Sequence, residues 1–218
     1  MNGVKFNELH SYNDLGFYLK SYTIGEAPLV EQRVSVPAMN GTLDYTDFFG
    51  FPVFGDRELK ISLKIIGTYE EQAEKYANLQ NLVHGRKMNI IFDDDNEWAY
   101  DGRIKVGELT HHSSGGAGYV NILATCYPYK RRLEYTLIET PLTTNFVPIE
   151  IENDGQEVVP EFISPVETTI LWNNETYSFE GGSAFFPQIV LPAGDSVLQA
   201  KAESGTGNLQ IKFRGGSL

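Results

Sequence analysis

Between Leu59 and Ile65 the chain alternates without a break: Leu59, Ile61, Leu63 and Ile65 are apolar, while Lys60, Ser62 and Lys64 between them are polar. A period of two belongs to a strand with one buried and one wet face, so the fold must give this strand neighbours and an apolar cover. The cover is legible next door. Thr68 followed three residues later by Glu71 makes a capping box, and Glu70, Glu71 and Glu74 suit the positive end of a helix dipole. Ala73, Tyr76, Leu79, Leu82 and Val83 then form one apolar stripe, with Gly85 as a left-handed stop. The pattern predicts a helix over 68–85 lying on the sheet that begins at Leu59. Twenty-one Gly and ten Pro scattered without period fit many short strands and turns elsewhere.

Ahead of that strand, Val34 to Pro37 reads as extended and Asn40-Gly41 as a tight hairpin turn, because this dipeptide tolerates positive φ. A second strand should follow at once. Tyr45, Phe48, Phe49, Phe51 and Phe54 make an aromatic stretch closed by Asp56-Arg57. It holds more aromatic surface than one hairpin can bury, and no catalytic constellation, so it reads as architecture.

Other strands are expected at Val4–Leu9, Leu15–Leu19 with Tyr22–Ile24, Met88–Phe92, Trp98–Leu109 interrupted at Asp101-Gly102, and Tyr119–Cys126. The acidic run Asp93-Asp94-Asp95-Asn96-Glu97 lacks the spacing of a calcium loop and reads as a solvated turn. His111-His112 opens a Ser/Gly-rich surface loop without a third metal ligand at useful spacing. Cys126, inside an apolar strand, reads as core. Lys130-Arg131-Arg132 is too short for a nucleic-acid patch and reads as a rim. Composition shifts at Glu134–Pro148, a Thr- and Pro-bearing segment that reads as a linker between domains 1–135 and 136–218.

From Ile149 onward short strands are expected at 149–151, 161–163, 168–172, 176–179, 188–191, 196–202 and 209–213, with a hairpin turn at Asn173-Asn174. Leu198, Ala200 and Ala202, then Leu209, Ile211 and Phe213, share one side. The fold class is mainly β with one helix: an N-terminal β-rich domain and a C-terminal β-sandwich.

The net charge of −12 opposes nucleic-acid binding, which needs clustered Lys and Arg. Residues 1–135 carry −4 and residues 136–218 carry −8. A single cysteine permits no intrachain disulfide. No apolar run approaches the roughly 20 residues of a membrane span, and the amino terminus has no leader-like apolar core, so no membrane partner is expected. No G-x-S-x-G, H-E-x-x-H, phosphate loop or dinucleotide turn occurs, and neither enzyme activity nor a cofactor or metal is expected.

The segment Val36-Pro37 through Asn40-Gly41-Thr42-Leu43-Asp44-Tyr45-Thr46, then Arg57 opening an alternating strand, then a helix ending in His84-Gly85 and the run Ile91-Phe92-Asp93-Asp94-Asp95, resembles the amino-terminal domain of the distal tail protein family of long-tailed bacteriophages. The family's usual Gly-Arg pair in the first loop is replaced here by Ala38-Met39. The resemblance covers about the first 135 residues well and the remainder by pattern.

It implies a structural virion protein at the distal end of the tail, assembled in the host cytoplasm. The implied assembly is a homohexameric ring between the tail tube protein and the tail-associated hub protein, with galectin-like C-terminal sandwiches turned toward receptor-binding or baseplate proteins. The genome would pass through the ring, and an acidic lining would keep it from sticking. Asn40, Thr42, Leu43, Tyr45, Phe48, Phe51 and Arg57 are the candidate inter-subunit surface. The alternative is a carbohydrate-binding protein recognising host-surface glycans through Trp172, Asn173, Asn174 and Tyr177. Against it, Trp172 ends the apolar run Ile170-Leu171 and reads as core.

Overall fold

The computed structural model describes residues 2–46, 48, 52–112 and 116–218. The chain divides into two compact units, residues 1–130 and 131–218.

The first unit contains β1 (Val4–Phe6), β2 (Leu9–His10), β3 (Tyr18–Ile24), β4 (Arg33–Ser35), β5 (Thr42–Asp44), β6 (Arg57–Ile66), α1 (Tyr69–Val83), β7 (Lys87–Phe92), β8 (Trp98–His111) and β9 (Ala117–Cys126). A twisted antiparallel sheet runs in the order β2-β1-β7-β8-β9-β6-β3. Leu59, Ile61, Leu63 and Ile65 all point into the core, as the alternation requires, and meet Val120, Ile122 and Ala124 from β9.

Helix α1 closes that core with Leu79 and Val83, both fully buried. Each such side chain contributes about 1.5–3 kcal/mol by leaving water. The capping box is formed: the Thr68 hydroxyl accepts from the Glu71 amide, and the Glu71 carboxylate accepts from the Thr68 amide at 2.8 Å. Thr68→Ala should cost about 1 kcal/mol in chemical denaturation, with no change in the sheet's circular dichroism. Gly85 ends the helix at φ +75°. The apolar stripe is rotated from the expected one. Ala73 is exposed and Gln72 is buried, because its amide is fully used: Nε2 donates to the Gly67 carbonyl and Oε1 meets His111 Nδ1, each at 2.8 Å.

Several local expectations are corrected. Val4–Leu9 is not one strand but a tight hairpin, turned at Asn7 with φ 55°. Asp101-Gly102 does not interrupt β8; a Cβ at Gly102 would stand 2.7 Å from the Thr125 carbonyl oxygen, so the glycine is what lets β8 and β9 run together. His111 belongs to the end of β8, its ring edge-on to Tyr69, rather than to a free loop; Ser113, Ser114 and Gly115 of that loop lie outside the described residues. Cys126 is buried, and burial pushes its thiol up to about 12, the state of an inert core sulfur.

The second unit follows β10 (Lys130–Arg132), which straddles the division. It comprises β11 (Thr136–Leu142), β12 (Val147–Asn153), β13 (Glu161–Ser164), β14 (Thr168–Trp172), β15 (Glu175–Phe179), β16 (Gly182–Phe185), β17 (Gly194–Ala202), β18 (Gly207–Phe213) and β19 (Gly216–Ser217). Two four-stranded sheets, β11-β18-β13-β16 and β12-β17-β14-β15, share one core of Phe162, Ile170, Trp172, Leu198, Ile211 and Phe213.

Asn173 and Asn174, at φ 49° and 65°, make the two-residue turn joining β14 to β15. The linker expected at 134–148 is mostly sheet: β11 pairs along its whole length with β18. Residues 188–191 form no strand. Ile189 and Leu191 are buried, but Leu191 makes only an isolated bridge to Val158, so their alternation records burial rather than pairing.

Candidate interaction surface

Strands β3 and β6 do not end their partnership at the sheet. Past Ile24 and Arg57 the two chains continue side by side as an arm: the Gly25 amide donates to the Glu58 carbonyl and the Gly55 amide to Pro28, both at 2.7 Å. The Val30 amide donates to Val53 at 2.8 Å, and the Tyr45 amide to Gln32 at 2.7 Å. Beyond them β4 and β5 pair Arg33 with Asp44, Val34 with Leu43 and Ser35 with Thr42. The tip is not a two-residue turn at Asn40-Gly41 but the longer connection 36–41, with positive φ at Ala38 (65°) and Gly41 (85°). Asp44 folds the base of this outer hairpin by accepting from the Thr46 amide at 2.9 Å and from its hydroxyl.

The arm is solvated along nearly its whole length, with residues 28–42 exposed throughout. Yet it is apolar. Leu29 is 44% exposed, Val34 50%, Met39 45%, Tyr45 41% and Phe48 71%. Among the exposed large hydrophobic side chains of the described residues, no other segment gathers so many. Such a patch costs free energy until another surface covers it.

Asn40, Thr42, Tyr45 and Phe48 are exposed on the arm, Leu43 is half-buried in β5, and Tyr45 and Phe48 face each other with ring centroids 6.3 Å apart. Phe51, like Phe49, lies outside the described residues. Arg57 parts from the group: it is 6% exposed, its guanidinium 5.8 Å from the Tyr100 ring centroid, at the root of the arm. In the second unit Trp172 is 8% exposed, so neither face of its ring is open, while Asn173 and Asn174 are the exposed hairpin turn. Tyr177 is half-buried and donates to Glu175 at 2.6 Å.

The acidic run is a turn exposed at Asp94, Asn96 and Glu97, and three of its acids are in addition tied to partners elsewhere in the chain. Asp93 accepts from the Gly3 amide at 2.7 Å and from His10 Nε2 at 3.1 Å. His10 Nδ1 accepts from the Tyr12 and Asn13 amides, which fixes the proton on Nε2. Asp94 accepts from the Tyr22 hydroxyl at 2.7 Å, a bond that, with partial burial, pushes the phenol up to about 12. Asp95 holds Lys130 at 3.0 Å. Sequence reasoning missed these roles because each partner is remote in the chain.

Partial burial pushes the Asp93 carboxyl up, but the bonds from His10 and Gly3 outweigh it and hold the group below its ordinary value of 3.8. Its contribution is therefore present above that value and lost as pH falls through the lower folded value. Asp93→Asn should cost about 1–3 kcal/mol at neutral pH and flatten the acid limb of a melting-temperature profile between pH 6 and 2. An unchanged acid limb would contradict the assignment.

Against solved structures, the crystal structure of SPP1 Dit (gp 19.1), described as a paradigm of the hub adsorption apparatus in phages infecting Gram-positive bacteria, aligns over 98% of this chain and 99% of its own with a TM-score of 0.69. The chain has the Dit fold. Sequence identity is 16%, so the path of the backbone is held in common while most side chains differ. No family model matches the sequence, and no curated protein matches it. The Dit fold here is predominantly strand, 55% of residues against 9% helical, and both units take part in the alignment.

Proposed function

We propose that this chain is a structural virion component of a phage tail tip, acting by assembly rather than by chemistry. Six copies form a closed ring that caps the distal end of the tail tube. The tail tube protein lies on one side and the tail-associated hub on the other, and the second unit is available to receptor-binding or baseplate proteins. The observation that carries this reading is the Dit fold spanning both units from end to end, shared with a protein of a hub adsorption apparatus.

The arm supports it on physical grounds. A ring needs head-to-tail contacts in which one face of each copy fits a different face of the next. An exposed apolar hairpin extending from the sheet is a half-interface of that kind. Neither the comparisons nor the geometry favours the glycan reading, since the ring of Trp172 is packed in the core. The test is immunogold microscopy of virions carrying this chain: label confined to the far end of the tail is expected, and label on the capsid, along the tube or absent from particles would overturn the reading.

A further inference from the structure

The outward face of the first unit's sheet gathers a cluster of lysines, in a chain whose net charge is −12. Register places its residues in rows. Lys87, Arg103, Thr125 and Glu58 stand side by side across β7, β8, β9 and β6; next come Lys105, Leu123, Lys60 and Thr23; then Asn121, Ser62 and Ser21; then Tyr119, Lys64 and Tyr18. Five cations share these rows with Glu58, 4.0 Å from Lys60, and Asp101, two residues before Arg103 on the same face of β8, holds Lys87 at 3.1 Å, so the second row's Lys60 and Lys105 are the cations that flank the apolar Leu123. Over the second and third rows lies an open groove of about 450 Å³ with the half-buried Leu123 between Lys60 and Lys105, rimmed by Ser21, Thr23 and Asn121. A lysine-edged groove with one apolar side chain in its floor suits an acidic segment that also carries apolar residues.

The chain owns such a segment. Residues 26–55 carry Glu26, Glu31, Asp44 and Asp47 against Arg33 alone, which lies 3.1 Å from Glu31 and 3.9 Å from Asp44 and leaves the segment net acidic, together with the exposed Val34, Met39 and Phe48. Because the arm prolongs β3 and β6 past the sheet, it leads away from the face that would receive it. An extended chain rises about 3.3 Å per residue, so an arm of this length reaches several tens of ångströms. We infer that the arm of one copy lies across the lysine-lined sheet face of the next copy, with its acids against Lys60 and Lys105 and an apolar side chain over Leu123. This deepens the ring reading and rests on it: the arm is the donor face and the outer sheet the acceptor face of one heterologous contact. The contact weakens as salt rises, because its charges are solvent-accessible.

The test is a charge swap on the full chain. Lys60→Glu with Lys105→Glu, and separately Glu26→Lys with Glu31→Lys, should each weaken assembly at least tenfold by sedimentation. All four changes together should recover to within a few-fold of the parent. Every site is exposed, so melting temperatures should stay near the parent's, and the salt dependence of the parent provides a second readout that needs no variant. A ring indifferent to both reversals and to salt overturns the docking assignment and leaves the ring. Losses that add in the fourfold variant, or a loss from the lysine reversal alone, assign the basic face to another acidic partner and overturn it as well. A parent that is monomeric at every concentration overturns the ring and this contact together.

Discussion

Aspartate in place of Val34 and Phe48 should leave the chain monomeric at concentrations where the parent is assembled. The two side chains are 50% and 71% exposed within one copy, so neither contributes much to its folding. In a ring each arm contact buries them, and burial of a large apolar side chain is worth about 1.5–3 kcal/mol. Replacing both with charge removes that gain and adds desolvation, so each contact should weaken by about 100-fold or more. Light scattering would show the loss of mass, and differential scanning calorimetry should place the monomer's unfolding near that of isolated parent subunits. A variant that assembles as the parent does would mean that the arm's apolar surface faces something other than a second copy.

The second large effect belongs to the other unit. Phe162→Ala should destabilise it by about 3–5 kcal/mol, because the ring is fully buried between two sheets and its removal leaves a cavity as well as losing transfer energy. Against a typical stability of about 5–15 kcal/mol this is a large share. Trp172 sits in the same core, so intrinsic fluorescence in a urea titration reports the transition directly. A shift below about 1 kcal/mol would mean that the two sheets do not share the tightly packed core described.

What the sequence made legible was local. The alternation through β6, the capping box of Thr68 and Glu71, and the paired asparagines at 173–174 all specify geometry within a few residues, and the structure realises each of them. What stayed hidden depended on partners far along the chain. Gln72 has no place in an apolar stripe read from residue type; it is buried because Gly67 and His111 satisfy its amide. Asp93, Asp94 and Asp95 looked like one solvated turn, yet each reaches a different remote partner.

Strand β11 was masked by its Thr and Pro content, which follows from its place at the edge of a sheet, where a proline costs no ladder bond on the open side. The exposure of the candidate residues was legible only in part. An excess of aromatic residues around Phe48 signalled exposed apolar surface, but nothing local set Arg57 apart, which is buried at the root of the arm beside Tyr100. The acceptor face was invisible to pattern reading, since Lys60, Lys105 and Leu123 become neighbours only through the register of β6, β8 and β9.

In the proposed ring the exposed apolar arm of each copy is covered by another copy of the same chain. Multi-angle light scattering on the purified full chain, across a concentration series, tests it most directly. A ring of six gives a plateau at six times the 24.4 kDa chain mass; a constant single-chain mass up to the highest soluble concentration rules the ring out.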